Sequence, residues 1–175
     1  MSLLAERVTM DTGLLIARMV LGLLIAAHGA QKLFGWFGGY GLAGTGGFFE
    51  QLGFRPGRFF AATAGTTEIV GGLLIASGLL GPLGPALIIS VMVVAMATVH
   101  WQHGLFAQNN GIETPLLYAV GAMALALVGP GSYSLDALLR LSWSSEIAWI
   151  AIVLGVLGGV ANLAIRKTSA EAAHV

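Results

Sequence analysis

Three basic side chains, Arg18, His28 and Lys32, stand in or at the edge of one apolar run, ARMVLGLLIAAHGAQKLFG (residues 17–35), and one carboxylate, Glu68, stands inside another. A charged side chain at mid-membrane costs roughly 2.5–3.5 kcal/mol on insertion scales, so Arg18 and Glu68 facing lipid alone would together oppose insertion by about 5–7 kcal/mol. They must turn inward, toward water or toward each other. At 100° per residue, His28 and Lys32 fall one turn apart on the same helix face, with Arg18 within about 80° of both. An acid and bases converging in a dry interior are suited to holding a polar ligand and moving protons. Glu68, His28 and Arg18 are the expected catalytic groups. Lys32, His100, His103, Glu113, Phe34 and Trp36 are the expected ligand-binding groups. Counting helix rise from the cytoplasmic end places His28 about 7 Å and Glu68 about 13 Å deep, with Arg18 about 10 Å further on. Arg18 is therefore expected to meet Glu68 through a bridging water or ligand.

A structural reading stands beside each functional one. Arg18, Glu68 and His28 can form a polar network that holds helices in register. Lys32 can snorkel to the interface from a helix end. His100 and His103 can be solvated, and Glu113 can simply decorate a helix start. Haem ligation by His28 and His100 is disfavoured, because Met92 and Met96 line up as ordinary helix packing. A metal held by His100, His103 and Glu113 is disfavoured too, and no metal site is expected. Gly39-Tyr40-Gly41-Leu42-Ala43-Gly44 matches a dinucleotide-binding pattern as text, but no strand precedes it and no βαβ unit surrounds it.

The elements that must position these groups follow from composition. Hydrophobic residues make up 57% of the 175 residues and charged residues 9%, too few to cover a soluble surface. Net charge is zero, so nothing points to nucleic acid, and the absence of cysteine removes disulfides and thiolate-held clusters. The fold class is all-α, a polytopic membrane helix bundle. Spans are expected at 13–33, 59–80, 83–101, 115–129 and 146–165, the fourth short, with Thr114 as its cap, Pro115 at its first position and a start nearer Ile112 also open. Four crossings plus an interfacial segment is the alternative. Residues 1–140 form the bundle and 141–175 add a C-terminal transmembrane helix and a polar tail. The Gly- and aromatic-rich stretch 34–58 is expected to carry an interfacial or re-entrant helix near 45–53, and 132–143 a second amphipathic piece capped by Ser134. The first span is read as retained rather than cleaved. Five crossings put Lys32, Arg55, Arg58, Arg166 and Lys167 on one face against Arg7 and Arg140 on the other, so the first face is cytoplasmic. In the second helix Ala61, Gly65, Glu68 and Gly72 make a small-residue face around the carboxylate. Gly155, Gly158 and Gly159 make an exposed stripe suited to a partner.

The stretches RMVLGLLIAAHGAQKLFG, EIVGGLLIASGLLGPLG around Glu68, the histidine at 100 and GPGSYSLD at 129–136, in that order, resemble the DoxX family of small membrane proteins. The likeness covers about residues 13–140. The resemblance implies a four-helix core in a bacterial inner membrane, here with an additional fifth helix, linked to quinone-dependent redox processes. Family relatives include membrane subunits of thiosulfate:quinone oxidoreductase, proteins tied to hydroquinone resistance, and members associated with superoxide dismutase and a sulfurtransferase. Arg18, His28, Lys32, Glu68 and His100 match the family's polar motifs. The resulting expectation is a membrane subunit of an oxidoreductase that binds a quinone, with Phe34, Trp36 and Phe37 as its apolar wall. Electrons would come from a partner subunit. Lipid, protein subunits or further copies of the chain are the expected partners. A non-catalytic accessory subunit and a small-molecule transporter are the alternatives.

Overall fold

The computed structural model describes residues 3–167, and the expected polar tail falls largely outside them. Every regular element among the described residues is helical. The α-helices are α1 (Leu3–Phe34), α2 (Gly41–Gln51), α3 (Gly57–Ser77), α4 (Leu83–Ala95), α5 (Glu113–Val128), α6 (Leu135–Leu138) and α7 (Ser145–Ala164), with short 3-10 turns at Trp36–Gly38 and Ala107–Asn109. α4 continues through a wide turn at Met96–His100 and a tight one at Trp101–His103. Four helices are long and apolar enough to cross a membrane: α1, α3, α4 with its extension, and α7. The 16-residue α5 is a shorter apolar helix. The chain is a polytopic membrane protein with an all-helical bundle.

One boundary and one cap differ from the sequence expectation. α1 begins at Leu3 rather than near residue 13, because nothing in LLAERVTMDTG breaks a helix. α5 begins at Glu113 behind Ile112, so Thr114 is inside the helix and makes no cap. The expected accessory pieces are present: α2 covers residues near 45–53, and Ser134 caps α6 by accepting from the Ala137 amide at 3.1 Å.

α1 and α3 pack antiparallel along their small residues. A β-carbon at Gly22 would stand 2.6 Å from the Ala76 nitrogen, and one at Gly72 2.8 Å from the Ala26 nitrogen. Ala61, Gly65, Glu68 and Gly72 are all buried, as the small-residue face requires. α1 stops at Gly35, whose φ of +73° suits a residue without a β-carbon. At that end Leu33 packs on Gly65, eight residues into α3. α1 therefore ends about 12 Å of helix rise below the start of α3. α2 returns through the space left above it, seating Gly46 on Arg58. A core of Ile25, Ile75, Ile88, Ile89, Met92, Ala119, Ala122 and Ile152 joins α1, α3, α4, α5 and α7.

The stripe on α7 does not wait for a partner. Gly155 and Gly159 are buried against α4, where β-carbons would stand 2.6 Å from the Ala86 carbonyl and 2.7 Å from Val93 Cβ. The small residues serve this chain's own α4–α7 seam, and the outer surface of α7 is instead large and apolar: Trp149, Val153 and Leu157 are exposed.

Candidate functional site

The polar groups form two separate clusters, one midway along α3 and one at its C-terminal end. The first centres on Glu68, whose side chain is 3% exposed and held by Lys32: Nζ donates to Oε1 at 2.8 Å and to Oε2 at 2.6 Å. Because α1 ends within the bundle, Lys32 reaches a carboxylate about 16 Å of helix rise from the start of α3, well inside the interface to which sequence alone assigned the lysine. It is the sole ion pair among the described residues.

His28 sits one turn before Lys32. Gln31 donates from Nε2 to the Phe37 carbonyl at 3.2 Å, so its amide oxygen faces His28 Nδ1 at 3.0 Å. In the neutral ring Nδ1 then carries the proton, and Nε2 accepts from the Tyr118 hydroxyl at 3.3 Å. The rings of His28 and Tyr118 also meet edge to face, with centroids 5.7 Å apart. Sequence reasoning missed Gln31 and Tyr118. The signal for the second was a lone hydroxyl inside the apolar run of α5.

A cavity of about 780 Å³ opens beside the ion pair. Lys32 and Glu68 lie in its wall with Gln31, and His100 lines it from the end of α4. Its aromatic surface is supplied by Tyr40, Phe48, Phe49, Phe54 and Phe60. Phe34, Trp36 and Phe37, the wall expected from sequence, are 58%, 60% and 71% exposed and are absent from the cavity lining. The left-handed turn at Gly35 and Phe37 throws these rings outward, and α2 takes their place.

His100 Nδ1 donates to the Asn110 carbonyl at 2.7 Å. His103 is exposed beside Gln102, and Glu113 accepts from the Ala107 amide at 2.7 Å, tying down the connection before α5. The structure brings neither His103 nor Glu113 to the ion pair. Among the described residues no group of three His, Asp or Glu side chains converges as metal ligands do.

Arg18 belongs to the second cluster, not to the Glu68 site. It is 2% exposed and donates from Nη1 to the Ala76 carbonyl at 3.3 Å and from Nη2 to the Tyr133 carbonyl. Ala76 lies eight residues from Glu68 along α3, about 12 Å of rise, so the two charged groups are not in direct contact. The guanidinium fits because Gly78 ends α3 without a side chain; a β-carbon there would lie 2.9 Å from Arg18 Cζ. Beside it Asp136, 1% exposed, accepts from the amides of Leu80 at 2.8 Å and Gly81 at 2.7 Å and from Trp143 Nε1 at 2.7 Å. Asp136 closes the α3–α4 turn, a role that its place in SYSLDALL does not announce.

A family profile described as DoxX matches residues 13–101. Inner membrane protein YqjF of Escherichia coli is 32% identical over 136 residues, which are 76% of this chain and 96% of that protein. Uncharacterized membrane protein Rv3486 of Mycobacterium tuberculosis is 29% identical over 129 residues, 68% of this chain and 76% of that one. Magnetosome protein MamN of Paramagnetospirillum magneticum is 29% identical over 112 residues, 61% of this chain but only 24% of that protein. No solved structure matches significantly.

Proposed function

Since the chain belongs to the DoxX family of multi-pass membrane proteins, we propose that it is the quinone-binding membrane subunit of an oxidoreductase in the bacterial inner membrane. The observation that carries the reading is the Lys32–Glu68 pair in the wall of an aromatic-lined cavity within the bundle. A quinone head needs apolar surface for its ring, a donor for a carbonyl and a group that exchanges protons. Tyr40, Phe48, Phe49, Phe54 and Phe60 supply the surface. The Lys32 ammonium has three donors and Glu68 takes two, which leaves one for a ligand oxygen. Glu68 is the proton-exchanging group beside it. The pair is neutral overall, which favours a neutral ligand over an ion.

Two-electron reduction of a quinone consumes two protons and two electrons. The chain has no cysteine to hold a thiolate-bound cluster, and the electrons are assigned to a redox partner subunit. His28, locked between Gln31 and Tyr118, positions the helix end that carries Lys32.

The test is extraction of the protein purified in mild detergent, with mass spectrometry of retained quinones, a visible spectrum and titration with a short-tailed 1,4-benzoquinone. Near-stoichiometric quinone, and saturable binding weakened by Lys32→Met, are expected. A preparation with no retained quinone and no saturable binding overturns the reading, and a Soret band would mark haem instead.

A further inference from the structure

Five helix hydroxyls in this bundle fold back on the carbonyl four residues earlier. Thr9, Thr12, Thr63, Ser77 and Thr98 all do so, at 2.7–2.9 Å. A hydroxyl bonded this way is satisfied and asks nothing of its surroundings. Thr45 of α2, Thr67 of α3 and Ser90 of α4 do not fold back, and neither does Thr66, which is exposed and lies outside the cavity lining. Thr45, Thr67 and Ser90 line the cavity, and none of them makes a hydrogen bond with another described residue. Thr45 is 7% exposed, yet its hydroxyl is not sealed off, since Arg18 Nε is the lone fully enclosed side-chain polar atom without a partner among the described residues. The small exposure of Thr45 therefore opens onto the cavity. Ser90 keeps its hydroxyl clear because its neighbour on α7 is Gly158, where a β-carbon would stand 3.2 Å from Ser90 Oγ.

Hydroxyl groups within a membrane bundle have no bulk water to fall back on, so free donors in a cavity wall serve whatever occupies it. Thr67 adjoins Glu68 and belongs with the ion pair. Thr45 and Ser90 come from two other helices and are independent of that pair.

Resting on the quinone reading, we infer that Thr45 and Ser90 are specificity residues that donate to a second carbonyl of the ring, so the cavity selects 1,4-diketone rings over rings with one carbonyl. Lys32 takes one oxygen and the two hydroxyls take the other. A site that presents donors for an absent oxygen leaves them unpaired, and that loss is the source of discrimination.

The full chain in detergent is titrated, by quenching of its tryptophan fluorescence, with a short-tailed 1,4-benzoquinone and with a cyclohexenone bearing the same tail. The wild type is expected to bind the quinone about tenfold more tightly, the scale of one to two hydrogen bonds. Thr45→Val/Ser90→Ala should lose about tenfold for the quinone and nothing for the cyclohexenone, while Thr45→Ser keeps wild-type selectivity. Unchanged thermal unfolding in these small replacements shows that the bundle is intact. Selectivity retained by the double variant, or absent from the wild type, overturns the inference and leaves the quinone reading standing. Failure of the wild type to bind either probe overturns both.

Discussion

Replacing Lys32 removes the partner of a carboxylate that is only 3% exposed, whereas replacing Glu68 leaves a lysine that is 26% exposed. The two halves of this ion pair should therefore not be equivalent. Breaking a fully buried pair costs about 3–5 kcal/mol, and partial exposure of Lys32 brings the expected loss for Lys32→Met to about 2–3 kcal/mol. Glu68→Gln should cost less, and Lys32→Met/Glu68→Gln should recover stability relative to Lys32→Met alone. Denaturant unfolding in mixed micelles measures all three, and equal losses in the single variants would contradict the asymmetry. The second cluster gives a companion prediction. Asp136→Ala strands two backbone amides and an indole nitrogen, a loss of about 2–4 kcal/mol, and Asp136→Asn should fall between it and the wild type. The burial of Glu68 and Arg18 was legible in the sequence, because charges in apolar runs must turn inward. Their separation in depth, about 10 Å, was legible too, but the partners of Arg18 were not: that part could not be read from helix rise. It depends on where α3 ends and on a loop 115 residues away in sequence that brings the Tyr133 carbonyl to Arg18.

Helices are held here by the absence of side chains as much as by their presence. The α1–α3 and α4–α7 seams are both glycine seams, and neither leaves room for a methyl group. Gly72→Ala and Gly155→Ala should each lower stability by about 1–3 kcal/mol, the scale of overpacking. Gly13→Ala is the control: a β-carbon there meets nothing within 4 Å, and removing a helix-interior glycine should stabilise by about 0.5–1 kcal/mol. Thermal unfolding of the three variants checks the contrast; a neutral Gly155→Ala would mean that α7 is loosely docked. The seam around Glu68 could be read from its four-three-four spacing. The α7 seam could be recognised as a close-packing stripe, but not assigned, because spacing alone does not say whether the other surface lies in this chain or another. The aromatic wall escaped for a related reason. Both 34–37 and 48–60 are rich in rings, and a reversal at Gly35 and Phe37 decides which set faces inward.

Across the whole molecule the connections alternate strictly between two ends. The 78–82 turn, the 129–144 segment and Asp11 meet at one end, where Asp11 accepts from the Ser132 amide at 2.9 Å and Asp136 grips the α3–α4 turn. Gly53 and Lys167 meet at the other, joined by a backbone hydrogen bond of 3.0 Å, and Arg166 donates to the Leu52 carbonyl there. α5 connects these two ends although 16 residues span only about 24 Å, less than the roughly 30 Å of a hydrocarbon core. If α5 crosses, the bilayer or the flanking loops absorb the difference. Five traverses, the count expected from sequence, would put Leu3 and Lys167 on opposite sides. The excess of basic residues makes the end with Lys32, Arg55, Arg58, Arg166 and Lys167 the expected cytoplasmic one. A chain without cysteine makes this directly measurable. Ser142→Cys and Gln102→Cys each place a single thiol at an exposed position, one at each end. A membrane-impermeant maleimide applied to intact cells with a permeabilised outer membrane should label Ser142→Cys and spare Gln102→Cys, and inverted vesicles should reverse the pattern. The opposite pattern would invert the orientation, and labelling of both from one side would mean that α5 does not cross and that the bundle has four spans.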